Sequence, residues 1–219
     1  MIPTVADDAT QARYVANIIA VYRTATVDQE FRGRNWYRTA HELAYKMSGA
    51  DEAPTKEDAE RLTRAAAGVI AALSPQKAWY LNVKLAMGAF ATGEVRGQVH
   101  NAVAKAEKIM LGAHPLDVLP DDTKTWHFYR SIIDPTDPDP VVVDRHAHDI
   151  AVGEIYGSAD RGLSNKNRYA VIAHAYREAA RQLGIIPSVL QAVTWVVQVD
   201  ATADLPYRGG RSEGHTAKE

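Results

Sequence analysis

Apolar residues recur at three- and four-residue spacing along most of the chain, the mark of amphipathic helices. Tyr14, Val15, Ile18, Ile19 and Tyr22 predict a helix over 8–24. Trp36, Thr39, Leu43 and Met47 predict a second over 35–48. The clearest stripe is Leu62, Ala65, Ala66, Val69, Ile70 and Leu73, a helix over 55–73 with Thr55 as N-cap and Asp58 three residues on. Ser74-Pro75 then predicts a restart, because Ser favours the N-cap and Pro the first helical position, giving a helix over 75–91. Further helices are predicted over 98–111, closed by Gly112, and over 123–133, ended by DPTDPDP at 134–140. Three more follow: 145–156 ending at Gly157, 165–183 closed by Gly184, and an apolar stretch over 187–199. Within the last, VTWVVQV also fits a strand. No segment alternates as a hairpin would and no repeat is present, so the pattern predicts an all-α domain whose helices cross at varied angles. From residue 203, DLPYRGGRSEGHTAKE predicts a disordered tail.

The 219 residues suffice for one sizeable core or for two small lobes sharing an interface. Cysteine is absent, which excludes disulfides, thiolate metal sites, iron–sulfur clusters and cysteine nucleophiles. No apolar run approaches the roughly 20 residues of a membrane helix. The first residues, MIPTVADDATQAR, hold early acids and no apolar signal core. Together these predict an intracellular, cytoplasmic protein. Net charge is −2, so any nucleic-acid binding needs a local basic patch.

Four groupings could carry chemistry. In VVVDRHAHD, at 141–149, Asp144 follows an extended run and opens a helix. It could act as an N-cap only, hold a metal, or work on a substrate. Asp144 and His148 share a helix face, as do His146 and Asp149, but His146 and His148 are two apart and do not. In AALSPQKAWYLNVKLA, Gln76, Trp79 and Asn82 recur at three-residue spacing. Trp79 fits a core position, while Gln76 sits on a corner able to enter a groove. In VLPDDTKTWHFYRSI, Lys124 occupies a first helical turn, an unfavourable end for a cation, and Trp126, Phe128 and Tyr129 fit the core. Finally, Arg161, Lys166, Arg168, Arg177 and Arg181 face only Glu178 among acids, a patch able to track phosphates or to form a solvated helix face.

Taken in order, these segments resemble the helix–hairpin–helix DNA glycosylase superfamily, the endonuclease III-like fold. The matching motifs are LSPQ at 73–76, VHNAVAKAEKIM at 99–110, LPDDTKTW at 119–126 and VDRH at 143–146. The resemblance implies a two-lobed helical fold over residues 1–202 with a degenerate hairpin. It implies Asp144 as the essential carboxylate and Lys124 as the nucleophile of bifunctional members. Gln76 would fill the gap left by an extruded base, and DNA would be the partner. Trp79, Asn82, Arg145, His146, Lys166 and Arg168 complete the expected DNA- or substrate-binding set. No metal or other cofactor is implied. Asp121 and Asp122 depart from the family, standing where hairpin glycines hold a phosphate. NWYRTAHELA and LQAVTWVV are more similar to a phage and bacterial branch, the glutamyl/putrescinyl-thymine pyrophosphorylases, which hypermodify thymine-derived bases.

Two other readings stay open. His148-Asp149 is an HD pair, which in an all-α chain suggests a metal-dependent phosphohydrolase, with His100, His114 or His127 and Asp160 or Asp200 as further ligands. The Asp121-Asp122 departure suggests instead a non-catalytic binding or inhibitory protein on the same fold.

Overall fold

A computed structural model describes residues 6–157 and 159–202. The expected tail from residue 203 lies outside them. The described residues form helices joined by turns and loops, without strands. The opening half runs α1 (Asp8–Arg23), α2 (Val27–Met47), a 3-10 turn (Ala50–Glu52), α3 (Lys56–Leu73), α4 (Trp79–Thr92) and α5 (His100–Met110). It continues with α6 (Pro115–Val118), α7 (Lys124–Ile133), α8 (Arg145–Val152), α9 (Lys166–Leu183) and α10 (Pro187–Thr202).

Side chains take over the unpaired N–H groups at most of the longer helix starts. Asp7 accepts from Thr10 N at 2.7 Å, and Thr55 from Asp58 N at 3.1 Å. Thr123 opens α7 and Asn165 opens α9 in the same way. Helix α2 begins at Val27, well before residue 35, because Thr26 and Gln29 form a reciprocal capping box. Its first turns leave Val27 and Phe31 exposed and so lack an apolar stripe. Helix α8 stops at Val152, with Gly153 rather than Gly157 as its left-handed cap. The stretch over 187–199 is helical throughout and not a strand.

Pro75 does not start a helix. Ser74 is the C-cap of α3, its hydroxyl donating to Ala71 O at 2.9 Å, and α4 begins at Trp79. The turn between is held by Gln98, whose side-chain amide donates to Leu73 O (2.9 Å) and Pro75 O (2.8 Å). A contact over twenty residues away decides the corner, which local propensity does not show.

Buried apolar residues fall into two cores. One is built on α2, α3, α5 and α7 around Tyr37, Ile70, Leu73, Ile109, Phe128 and Ile132. The other is built on α1, α8, α9 and α10 around Ile18, Ile150, Ile172, Tyr176 and Leu190. Helix α10 serves both, giving Leu190 to the second and Ala192 to the first. It crosses α2 so closely that a Cβ on Gly33 would stand 2.5 Å from Val193 Cα, so glycine is required there. The extended run Val141–Val143 also joins the cores. Its side chains alternate, as extended backbone demands: Val142 enters the first core, Val141 and Val143 the second.

Among the described residues no single helix is long and apolar enough to cross a membrane. Helices α9 and α10 meet that test only as a pair bent by 101°, and both bury residues in the core.

Candidate functional site

The two cores leave a cleft between the α3–α4 corner, the start of α7, the start of α8 and the end of α10. Gln76, Lys77, Trp79, Asp122, Lys124, Asp144, Arg145, His146, Lys166 and Trp195 are among its walls. At its base lies a cavity of about 110 Å³. Asp144, Lys124, Lys77, Trp79 and Trp195 line both spaces. Trp36, Tyr37, Asn82, Phe128 and Gln191 line the cavity alone.

Asp144 stands where the extended segment turns into α8. Its Oδ1 accepts from His146 N and Ala147 N, both at 2.9 Å. That single oxygen caps the helix and fixes the carboxylate against the helix N-terminus. Among the described residues Oδ2 has no hydrogen-bond partner. The cap therefore holds the group without using it up. The negative charge reaches deep into the protein: it adds to burial in pushing the phenols of Tyr37, Tyr169 and Tyr176 up from their ordinary range.

Lys124 is the first residue of α7, half-buried, and among the described residues makes no ion pair within 4.0 Å. A cation at a helix N-terminus is unfavourable by a few tenths of a kcal/mol to about 1. Lys124 lines the same cavity as the Asp144 carboxylate. Four cations, Lys77, Lys124, Arg145 and Lys166, line the cleft against two carboxylates, Asp122 and Asp144. The cleft is therefore locally basic on a chain of net charge −2.

The cavity is aromatic. Trp36 lies 4.8 Å from Trp195 and 5.4 Å from Trp79, centroid to centroid, and Trp79 meets Phe128 edge-on at 6.3 Å. Tyr37 also meets Phe128 edge-on. These rings come from α2, α4, α7 and α10. Tilted and edge contacts suit the quadrupoles of these rings. His146, half-buried, stands edge-on to Trp195 at 6.3 Å and its Nε2 lies 3.0 Å from Arg145 Nε. Burial pushes its pKa down, against the charge of Asp144.

Two residues other than glycine hold positive φ among the described residues, Gln76 (+56°) and Asp122 (+54°). Both line the cleft. Such strain gathers at working sites. The hairpin Leu119–Thr123 is closed by the Thr123 hydroxyl donating to Pro120 O at 2.6 Å, and Asp121 and Asp122 are exposed on it.

The remaining sequence candidates scatter. Asp149 is not available as a metal ligand: Arg161 donates to both its oxygens at 2.7 Å, His148 Nδ1 lies 2.6 Å from Oδ1, and Tyr156 N donates to Oδ2 at 3.2 Å. This buried cluster ties the loop after α8 to its helix. His100 is exposed, His114 caps α6, Asp160 accepts from Gly162 N and Asp200 pairs with Arg32. Among the described residues no group of three or more His, Cys, Asp or Glu could hold a metal ion. The basic patch divides as well. Arg161 serves Asp149, Arg177 pairs with Asp139 and Arg181 with Glu178. Lys166 reaches the cleft, whereas Arg168 packs on Gly162 outside the cleft's lining.

Sequence reading missed Lys77, Trp36, Trp195 and Gln191 as wall residues. Lys77 was hidden by the expected helix from Pro75. Trp36 and Trp195 lie inside NWYRTAHELA and LQAVTWVV, over 150 residues apart, so only the fold reveals that they touch.

The chain belongs to the Family of unknown function (DUF7178), whose model matches residues 1–203. No curated protein and no solved structure matches it.

Proposed function

For this member of a family of unknown function, we propose a DNA base-processing enzyme. A strand lies in the basic cleft, one base leaves its stack for the aromatic cavity, and chemistry occurs beside Asp144 and Lys124. The carrying observation is that Asp144 and Lys124, twenty residues apart in separate motifs, line one cavity walled by three tryptophans. Breaking the base–sugar bond sends the bonding electrons out with the base and builds positive charge on the sugar. A fixed carboxylate stabilises that charge and orients or deprotonates a water. Lys124 could instead attack the sugar carbon, or pair with charge developing on the base. Stacking on Trp36, Trp79 or Trp195 repays part of the cost of unstacking. Hypermodification of a thymine-derived base uses the same placement, with the base itself as the reacting group.

Asp144→Asn is the direct test, since Asn also caps helices well and keeps the fold. Base release or base modification on DNA is expected to fall about 10²- to 10⁴-fold. Unchanged turnover removes Asp144 from the chemistry. Borohydride trapping of a protein–DNA adduct, lost in Lys124→Gln, separates a covalent role for Lys124 from an electrostatic one.

The exposed Asp121-Asp122 pair favours a second reading, a non-catalytic protein on this scaffold, because two carboxylates repel a phosphate at the hairpin. A gel-shift series across salt concentration discriminates: no DNA binding even at low salt supports this alternative.

A further inference from the structure

Asn82 is 1% exposed and lines the aromatic cavity. Its amide nitrogen donates to Ile70 O at 3.0 Å. A carbonyl can only accept, so the amide's orientation is fixed: nitrogen to Ile70, oxygen away from it. That oxygen, Oδ1, is buried and has no hydrogen-bond partner among the described residues. A buried acceptor left unpaired in an otherwise closed core is costly, and the fold gives Asn82 an anchored position rather than a free one. Gln191, on the cavity wall from α10, shows the complementary half. Its Oε1 accepts from the Tyr37 hydroxyl at 2.8 Å, and among the described residues its amide nitrogen donates to nothing.

We infer that Asn82 Oδ1 is a specificity determinant that accepts a hydrogen bond from an N–H on the edge of the base held in the cavity, with the Gln191 amide as a donor beside it. This rests on the base-pocket reading above and states what the guest must present: an N–H donor on the edge that meets Oδ1. The rings grip any planar guest, since every base has a π-face. Discrimination comes from the polar groups, because a guest that cannot donate leaves Oδ1 buried and unpaired.

The test uses the full chain and short single-stranded oligonucleotides bearing one central base. Thymine, adenine, cytosine and guanine are each compared with a donor-blocked counterpart: N3-methylthymine, N6,N6-dimethyladenine, N4,N4-dimethylcytosine and N1,N2,N2-trimethylguanine. Quenching of the cavity tryptophans reports occupancy. Wild-type protein is expected to bind at least one parent base about ten-fold or more tightly than its blocked form. Asn82→Leu, near in size and unable to accept, is expected to lose or invert that preference while still binding. The variant also loses the Ile70 contact, so its melting temperature is measured alongside. The wild-type comparison stands even if the variant does not fold. Equal wild-type affinities for all parent and blocked pairs overturn the Asn82 assignment and leave the base-pocket reading standing. A preference retained in Asn82→Leu also overturns it, by assigning the discrimination to another group. No saturable quenching by any oligonucleotide at low salt overturns both.

Discussion

At the scale of single residues, the cleft is flanked by titratable groups whose environments set how stability follows pH. His127 is buried, stacked on Tyr169 at 5.4 Å with ring planes 9° apart, and its Nδ1 is among the buried atoms without a hydrogen bond. Burial, then the charge of Arg177, pushes its pKa down to about 4 from 6.5; Asp122 and Asp139 oppose this and Arg130 adds to it. The unfolded chain therefore binds a proton that the folded chain refuses. The stability from keeping His127 neutral is full above pH 6.5 and is lost as pH falls from there toward 4, about 3 kcal/mol in all. Burial lowers His146 in the same direction. Urea midpoints of wild-type protein are expected to fall between pH 7 and pH 5. His127→Phe, which keeps the stack and removes the proton site, is expected to show a shallower fall, with His146 supplying the remainder. Equal slopes in the two proteins would show that His127 is protonated alike in both states. Little of this was readable in the sequence, where His127 was one of several candidate metal ligands. Asp144 was different: an extended run followed by a helix made a cap one of its three candidate roles, and the cap is how the structure holds it.

Among elements, the helix boundaries read correctly carried a local signal next to an apolar stripe, whereas the α2 start at the Thr26–Gln29 box lacks that stripe and was missed. Thr55, Thr123 and Gly184 act as their residue types imply. The Ser74–Ala78 corner was not legible, because Gln98 fixes it from a distant part of the chain. Its consequence is the left-handed Gln76, matched across the cleft by Asp122. For residues other than glycine this conformation costs roughly 1–2 kcal/mol. Gln76→Gly relieves that cost, set against the extra freedom glycine brings to the unfolded chain. A gain of about 1 kcal/mol is expected, or roughly 2–4 °C in Tm. The proposed base processing is expected to fall in the same variant, because the side chain presented into the cleft is gone. Calorimetry and turnover on one preparation check both halves. A more stable protein with undiminished turnover would mean that the strained corner does not serve the site through Gln76.

Over the whole molecule, the extended Val141–Val143 run ties the two cores together next to Asp144. The alternation that splits its valines between the cores was visible as a bare VVV, but nothing local says which core each enters. The register is locked by Tyr169 of α9. Its hydroxyl accepts from Val143 N at 2.9 Å and donates to Val141 O at 2.8 Å, which satisfies both backbone groups in a buried setting. Extended backbone without a neighbouring strand has no other ladder to join. Tyr169→Phe keeps the ring and its stack on His127 but leaves a buried N–H and a buried carbonyl unpaired. At about 1–3 kcal/mol for each unsatisfied group, the expected loss is about 2–6 kcal/mol, a fall in Tm on the order of 10 °C. Because Asp144 follows Val143 directly, slackening this extended run also moves the carboxylate relative to Lys124. Under the proposed function, turnover measured well below the new Tm is therefore expected to drop in Tyr169→Phe, with DNA affinity little changed. If Tm falls and turnover per folded molecule does not, the clamp stabilises the lobes without positioning Asp144. The carboxylate is then held by its helix cap alone.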